Sequence, residues 1–222
     1  MAHTILALLS YLNKKPDRDQ IGILLLTMVE RLVDNYHTYQ EKLNRRGDSS
    51  WKWFEETLRY ENGIIPEALI TCSEYRSKVP FGRMTGGRNL FDEAHEIGYT
   101  TLSFLDSVLH RQNGFMIVGN DGWYPRGGTP AWFDQQPLDA ASMVHLYGTA
   151  YRESRNPEFR DKMIESLSWF YGENILHLPL YDAERGGCHD GLEDNGVNMN
   201  MGAESTIVYL SAFLDVLSLI PK

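Results

Sequence analysis

The chain has 222 residues, 42% of them hydrophobic and 23% charged, which is long enough to bury a substantial core and too apolar for a disordered polymer. A formal net charge of -9, with no basic run beyond the Arg45-Arg46 pair, excludes a protein built to grip a phosphate backbone, so no nucleic-acid partner is expected. The longest apolar stretch, Ile21 to Val29, is followed at once by Glu30 and Arg31 and is too short to span a bilayer.

The first residues, MAHTILALLSYLNKK, carry Ile5, Leu6, Leu8, Leu9 and Leu12 on one broad stripe. No basic segment precedes them and no small-residue cleavage pattern follows, so they read as a helix and not as a signal peptide; the expected location is cytoplasmic. After Pro16-Asp17 a second helical pattern runs to about Leu43 through Leu25, Met28, Val29, Leu32, Val33, Tyr36 and Tyr39, and Asn44-Arg-Arg-Gly-Asp48 ends it. A short amphipathic helix is expected over Trp51 to Tyr60, broken by Asn62-Gly63. Another spans Ile64 to Tyr75 with Pro66 near its start, where a missing N–H costs little. Residues 76–89 read as a loop, and Phe91 to His110 as a long helix with Ile97, Leu102, Phe104, Leu105, Val108 and Leu109 inward.

From Asn113 to Pro137 the chain turns rich in Gly, Pro and aromatic residues, too rich for a regular element. Helices resume at about 138–153 and 157–171, the second opened by Asn156-Pro157. A second irregular stretch, Asn174 to Asn200, leads into a last helix over Ala203 to Leu219, and Pro179 argues against a strand at Leu176 to Leu180. The expected fold class is all-α: roughly eight helices paired as hairpins around a ring or along a solenoid, in a single domain over 1–222.

Loops longer than about 12–15 residues without secondary structure of their own are usually functional or disordered, and these two hold too many aromatics for disorder. Sugar recognition needs flat apolar faces under C–H surfaces, with amides and carboxylates for paired hydroxyls. Trp53, Asn120, Trp123, Trp132, Asp134, Gln135, Gln136, Asp139, Asp190, Asn198, Asn200 and Glu204 supply that inventory; equally, such residues tie loops down. Asp134 stands at a helix entry, where it either caps the helix or faces a cavity that would raise its pKa and suit it to general acid work. Glu204 stands in the first turn of the last helix, where a carboxylate also suits the helix dipole. Glu55 and Glu56 follow Trp53 and Phe54 and would point about 100° apart on a helix, so only one of them can face a pocket.

Other chemistries find no support. Gly82 to Gly87 lacks the setting and ending of a phosphate loop. The seven histidines have no ligand spacing, Cys72 and Cys188 suggest neither a metal site nor a disulfide framework, and Asp182, Glu184, Asp190, Glu193 and Asp194 do not follow the calcium-loop pattern. Gly202-Ala-Glu-Ser-Thr206 is not a nucleophile elbow. No cofactor or metal is expected.

Five stretches occur in consistent order over roughly residues 51–210: Trp51-Lys-Trp-Phe-Glu-Glu-Thr-Leu-Arg-Tyr-Glu-Asn62 with Pro66-Glu-Ala-Leu-Ile70; Gly119-Asn-Asp-Gly-Trp123; Phe133-Asp-Gln-Gln-Pro137 with Asp139-Ala140 and Met143-Val144; Leu180-Tyr-Asp182 with Gly186 to Leu192; and Val197-Asn-Met-Asn200 with Gly202 to Thr206. Together they resemble the C-terminal helical domain found behind a glycosyltransferase domain in many bacterial and archaeal proteins, a relative of the six-hairpin glycosidases. The resemblance implies an (α/α)6 toroid with an oligosaccharide or glycoside in a funnel at the end of its inner helices. In many such enzymes two carboxylates act as acid and base in an inverting hydrolysis or phosphorolysis. Positions that match its motifs are Glu55, Tyr60, Asn62, Trp123, Asp134, Gln135, Gln136, Asp190, Asn198, Asn200 and Glu204. The expected acid and base come from Asp134 or Glu204 with Glu55 or Glu56; the alternative is a non-catalytic glycan-binding module serving a glycosyltransferase chain. Two departures stand out: Met201 replaces a Gln usual in that family, and eight helices make four hairpins of the six. An incomplete ring would expose apolar helix faces and favour association, including with a second copy of the chain.

Overall fold

A computed structural model describes residues 1–16, 18–75, 84–85, 88–111 and 114–219. Most of the residues expected to form a loop over 76–89 lie outside this set, including four of the six from Gly82 to Gly87, as do Asp17 and Asn113. The chain divides into two compact units, Met1–Glu55 with Ile64–Phe104, and Glu56–Gly63 with Leu105–Lys222.

The described residues are mostly helical, with seven α-helices: α1 (Ala2–Lys14), α2 (Asp19–Asn44), α3 (Ile64–Ser73), α4 (Leu90–Leu109), α5 (Pro137–Ser154), α6 (Pro157–Ser168) and α7 (Ala203–Leu219). Seven of the eight expected helices agree with these, α6 ending at Ser168 and not at about 171. The eighth, over Trp51 to Tyr60, does not form. Its residues run through bends into a short strand, β1 (Thr57–Leu58). The reason is a competing set of side-chain bonds. The buried Gln40 amide donates to the carbonyls of Trp51 (3.1 Å) and Trp53 (2.9 Å), and the Trp51 indole N–H donates to the Glu55 carbonyl (2.7 Å). Those carbonyls are therefore taken, and Trp51, Trp53, Phe54 and Leu58 are all buried, more than one face of a surface helix could hide.

The all-α expectation also needs correction in the loops, which are pinned by small antiparallel pairs: β2 (Met84–Thr85) with β3 (Arg88–Asn89), β4 (His110–Arg111) with β5 (Gly114–Phe115), β1 with β6 (Tyr124–Pro125), β7 (Tyr181–Asp182) with β8 (Gly187–Cys188), and β9 (Gly191–Glu193) with β10 (Gly196–Asn198). Two- and three-residue pairs leave too little alternation for a periodicity argument to detect.

In the first unit α1 packs on α2 and α3 through Ile5, Leu9 and Leu12, an i, i+4, i+7 set with none above 3% exposed. Gly98 lets α4 close on α3: a Cβ there would stand 2.8 Å from Ile70 Cγ1. His37 Nε2 lies 2.8 Å from Glu93 Oε1 and links α2 to α4.

In the second unit α5 is the central element and packs against α6 and α7. Pro137 opens it at the first turn, and it is buried nearly all round, from Ala140 and Ala141 through Met143, Val144, Leu146 and Tyr147 to Ala150. Asp215 on α7 ties to α5 through Arg152 (2.6 Å) and His145 Nδ1 (3.2 Å). Asn156 caps α6 by accepting from the Glu158 N–H at 3.0 Å. One face of α7, formed by Ile207, Leu210, Leu214 and Leu217, is exposed. Among the described residues no helix is long and apolar enough to cross a membrane.

Candidate functional site

The loops entering α5 and α7 are held on each other by backbone. Gln135 and Leu192 exchange two N–H···O bonds of 3.0 and 2.9 Å, which joins the start of α5 to the β9–β10 hairpin. The Gln135 side chain is 1% exposed. Its amide donates to the carbonyls of Ile117 (3.1 Å) and Trp132 (2.9 Å) and accepts from the Trp169 indole (2.9 Å). Both N–H donors and the carbonyl oxygen of that amide are engaged and the side chain is buried, so Gln135 organises the loops and does not face a ligand. Gln136, its neighbour, occupies the N-cap of α5 without a side-chain capping bond and is partly buried.

Asp190 performs the same service for α7. Its carboxylate accepts from Gly202 N–H (2.7 Å), Ser205 Oγ (2.6 Å) and the Asn200 amide. Burial pushes the Asp190 carboxyl up, but the bond from Ser205 and then those from Gly202 and Asn200 outweigh it and hold it below the usual carboxylate range. Asn198 bonds Glu193 Oε1 at 3.0 Å and accepts the Asn200 N–H at 3.1 Å. Asp190, Asn198 and Asn200 thus shape the entry to α7. Glu204, in its first turn, is exposed.

The 119–134 loop folds back on itself: Gly119 N–H reaches the Ala131 carbonyl (2.8 Å), Asn120 N–H the Asp134 carbonyl (3.1 Å) and Ala131 N–H the Trp123 carbonyl (2.8 Å). Trp123 and Asp134 both adopt left-handed backbone, φ 59° and 56°, a conformation that costs a non-glycine residue about 1 kcal/mol or more and clusters at functional surfaces. The β1–β6 pair and the Glu56–Arg126 ion pair (2.7 Å) carry residues 56–60 beside this loop. Tyr60, 57% exposed, meets Trp123 with ring centroids 5.7 Å apart at 44°. Trp132 is covered by the Arg111 guanidinium, 4.8 Å from its ring centre.

Asp134 is partly buried, and its carboxyl is raised by that burial and by the negative charges of Asp121, Glu193 and Asp194. Asp139, in the first turn of α5, is 5% exposed. It accepts the Glu61 backbone N–H, and a small cleft beside it is lined by Asn62, Ser142, Met143, Leu109, Ile117 and Val118. Burial, opposed by the Glu61 N–H, pushes the Asp139 carboxyl up to about 8. Asn62 spends its amide on its own turn, donating to the Arg59 carbonyl at 2.8 Å and accepting Arg59 N–H at 3.3 Å.

The two expected residues of the first unit stand differently. Trp53 is 1% exposed and packs edge-on against Phe54, so it is a core side chain with no face open to a sugar. Glu55 is exposed and lends its backbone carbonyl to Trp51. In the second unit Asn120, Trp123, Tyr60 and Asp134 share one loop surface, to which the structure adds Asp121, Glu193, Asp194 and Arg126. Glu193 and Asp194 were visible in sequence only as a calcium pattern that failed; the long-range folding that gathers them has no local signature. Among the described residues no group of three or more His, Cys, Asp or Glu is arranged to hold a metal ion. The sequence matches no protein-family model and no curated protein.

Proposed function

We propose that the chain is a carbohydrate-active module that lays an oligosaccharide or glycoside across the Tyr60–Trp123 surface. The observation that carries this reading is the pairing of an exposed tyrosine with a tryptophan held in strained backbone, beside a carboxyl, Asp134, that is raised by burial and by three neighbouring acids. Neighbouring aromatic faces suit sugar C–H surfaces, and a raised carboxyl is a better proton donor to a leaving glycosidic oxygen than an ordinary one. The motif order along the chain supports the same reading and, with it, a toroidal arrangement of helical hairpins related to the six-hairpin glycosidases. Asp134 is the proposed acid, with Glu204, exposed in the same unit, as its alternative.

A specific observation favours a second reading, glycan binding without turnover in the service of a glycosyltransferase. Glu56 is neutralised by Arg126, and Gln135 and Asp190 are consumed by structural bonds, which thins the supply of acid and base groups. Titration of mannosides, glucosides and glucuronides, followed by tryptophan fluorescence and by release of reducing sugar, tests both. Trp123→Ala is expected to weaken glycan binding at least tenfold with the fold intact. Asp134→Asn is expected to abolish turnover while binding persists; if wild type binds a glycan and turns nothing over, the binding reading replaces catalysis. If no glycan binds, the carbohydrate reading falls.

A further inference from the structure

A cavity of about 380 Å³ opens in the second unit away from the residues discussed above, lined by Gly114, Phe115 and Met116 on one side and by α6 and the following loop on the other, with Glu165, Glu173, Ile175 and His177. Its volume lies within the range of small-molecule sites. Phe115, Met116 and Ile175 form an apolar wall, and two carboxylates stand against one imidazole.

The lysine of α6 is engaged elsewhere. Lys162, one turn before Glu165, binds Asp106 Oδ2 at 2.7 Å and Glu158 Oε1 at 2.9 Å. Asp106 also accepts Tyr147 OH at 2.9 Å and faces His110 Nδ1 at 3.1 Å. Burial opposes ionisation of Asp106, but the bonds from His110, Lys162 and Tyr147 outweigh it and hold the carboxyl well below the usual range. This anchored group sets His110, whose Nε2 is buried and lies 3.2 Å from Glu165 Oε2. Glu165 thus has one oxygen near His110 and its other oxygen on the side of Gly114, where a Cβ would stand 3.7 Å from it. Asn174 is fully used within its loop, bonding the carbonyls of Trp169 and Leu178 and the N–H groups of Leu176 and Leu178. It fixes the loop that presents Glu173 and His177, and His177 itself sits in left-handed backbone at φ 55°.

We infer that this cavity binds a small organic cation: a primary ammonium group seated between Glu165 and Glu173, with an apolar or sugar body against Phe115, Met116 and Ile175. An anion would meet two carboxylates, and among the described residues that line the cavity no Lys or Arg stands beside them. The inference does not rest on the glycan reading, since no residue of that surface lines the cavity.

The test is a ligand-observed NMR titration of the full chain with n-pentylamine and with glucosamine, against 1-pentanol and glucose as neutral counterparts. At least one amine is expected to bind tenfold or more tighter than its neutral counterpart, and the tighter of the two identifies the body the apolar wall prefers. Glu173→Gln, an exposed position whose change leaves the Asp106 anchor alone, is expected to weaken that amine about tenfold, and Glu165→Gln at least as much. Amines binding no better than their neutral counterparts, or binding unchanged in a folded Glu173→Gln chain, overturns the assignment.

Discussion

The Trp169 indole N–H donates to Gln135 Oε1 at 2.9 Å, and both side chains are at most 1% exposed. The bond joins the residue before the N-cap of α5 to the end of α6, while the Gln135 amide holds the carbonyls of Ile117 and Trp132. Replacing Gln135 with Leu keeps the volume but strands a buried donor and weakens two acceptors, at a cost of about 3 kcal/mol. Glu at 135 is expected to be worse, since an ionised carboxylate accepts from Trp169 but gives nothing to the carbonyls. Urea unfolding at neutral pH checks both, and a Gln135→Leu chain as stable as wild type would contradict the assignment.

Asp139 sets a pH dependence whose sign follows from burial. Its folded pKa, about 8, lies above the ordinary 3.8, so between those values the folded chain binds a proton that the unfolded chain releases. This contribution to stability is complete below the unfolded value and is lost as pH rises through the folded one. Asp139→Asn keeps an acceptor for Glu61 N–H and removes the titration. The variant is expected to gain on wild type as pH rises from 5 to 8, with a slope approaching ~1.4 kcal/mol per pH unit. Paired unfolding curves at pH 5, 7 and 8.5 measure it; parallel pH profiles would refute it.

Trp53 and Trp123 separate a core side chain from a working one. Trp53→Ala empties a fully buried site and is expected to cost about 3–5 kcal/mol, whereas Trp123→Ala, at a partly exposed position, costs less stability and removes the proposed glycan platform. Thermal unfolding and glycan titration of the two variants should give opposite orders of damage. The amphipathic periods of α1, α2 and α4 to α7 were legible in sequence because each buries one stripe or, in α5, nearly every face. The 51–60 segment was not legible, because its outcome hangs on Gln40, more than ten residues away. The site was legible as segments: the loops and their residue types could be named. Which residues face outward could not, since Gln135 and Trp53 are spent on tertiary bonds and packing that leave no trace in local spacing.

Asp190 gives the opposite pH signature to Asp139. Burial raises its carboxyl, but donors led by Ser205 lower it further than burial lifts it. Its stabilising share is therefore present above the ordinary value of 3.8 and is lost as pH falls through the depressed folded value. Asp190→Asn should flatten the acid limb of the stability profile between pH 5 and 2 and loosen the entry to α7. Amide exchange at Gly202, whose N–H is donated to Asp190 at 2.7 Å, is expected to accelerate in the variant; protection equal to wild type would show that the clamp does not govern this turn.

Gly119 tests whether the loop fold, and not merely its side chains, makes the proposed glycan surface. A Cβ at this position would fall 1.7 Å from the Phe133 carbonyl oxygen and 2.7 Å from the Phe133 nitrogen. Neither atom is the tip of a flexible side chain, so one strand of the loop must move. Movement there breaks the Gly119–Ala131 and Asn120–Asp134 backbone bonds of 2.8 and 3.1 Å and shifts Trp123 and Asp134 together. Gly119→Ala is expected to cost about 2–4 kcal/mol from the clash and the lost bonds, and to lower glycan affinity more than Asp134→Asn does. The cavity at Glu165 and Glu173 shares none of these residues, so amine binding at low temperature, where the variant is folded, should be kept. Loss of glycan binding with amine binding retained in one Gly119→Ala preparation is the expected result, and equal retention of both would show that the loop conformation is not what shapes the surface.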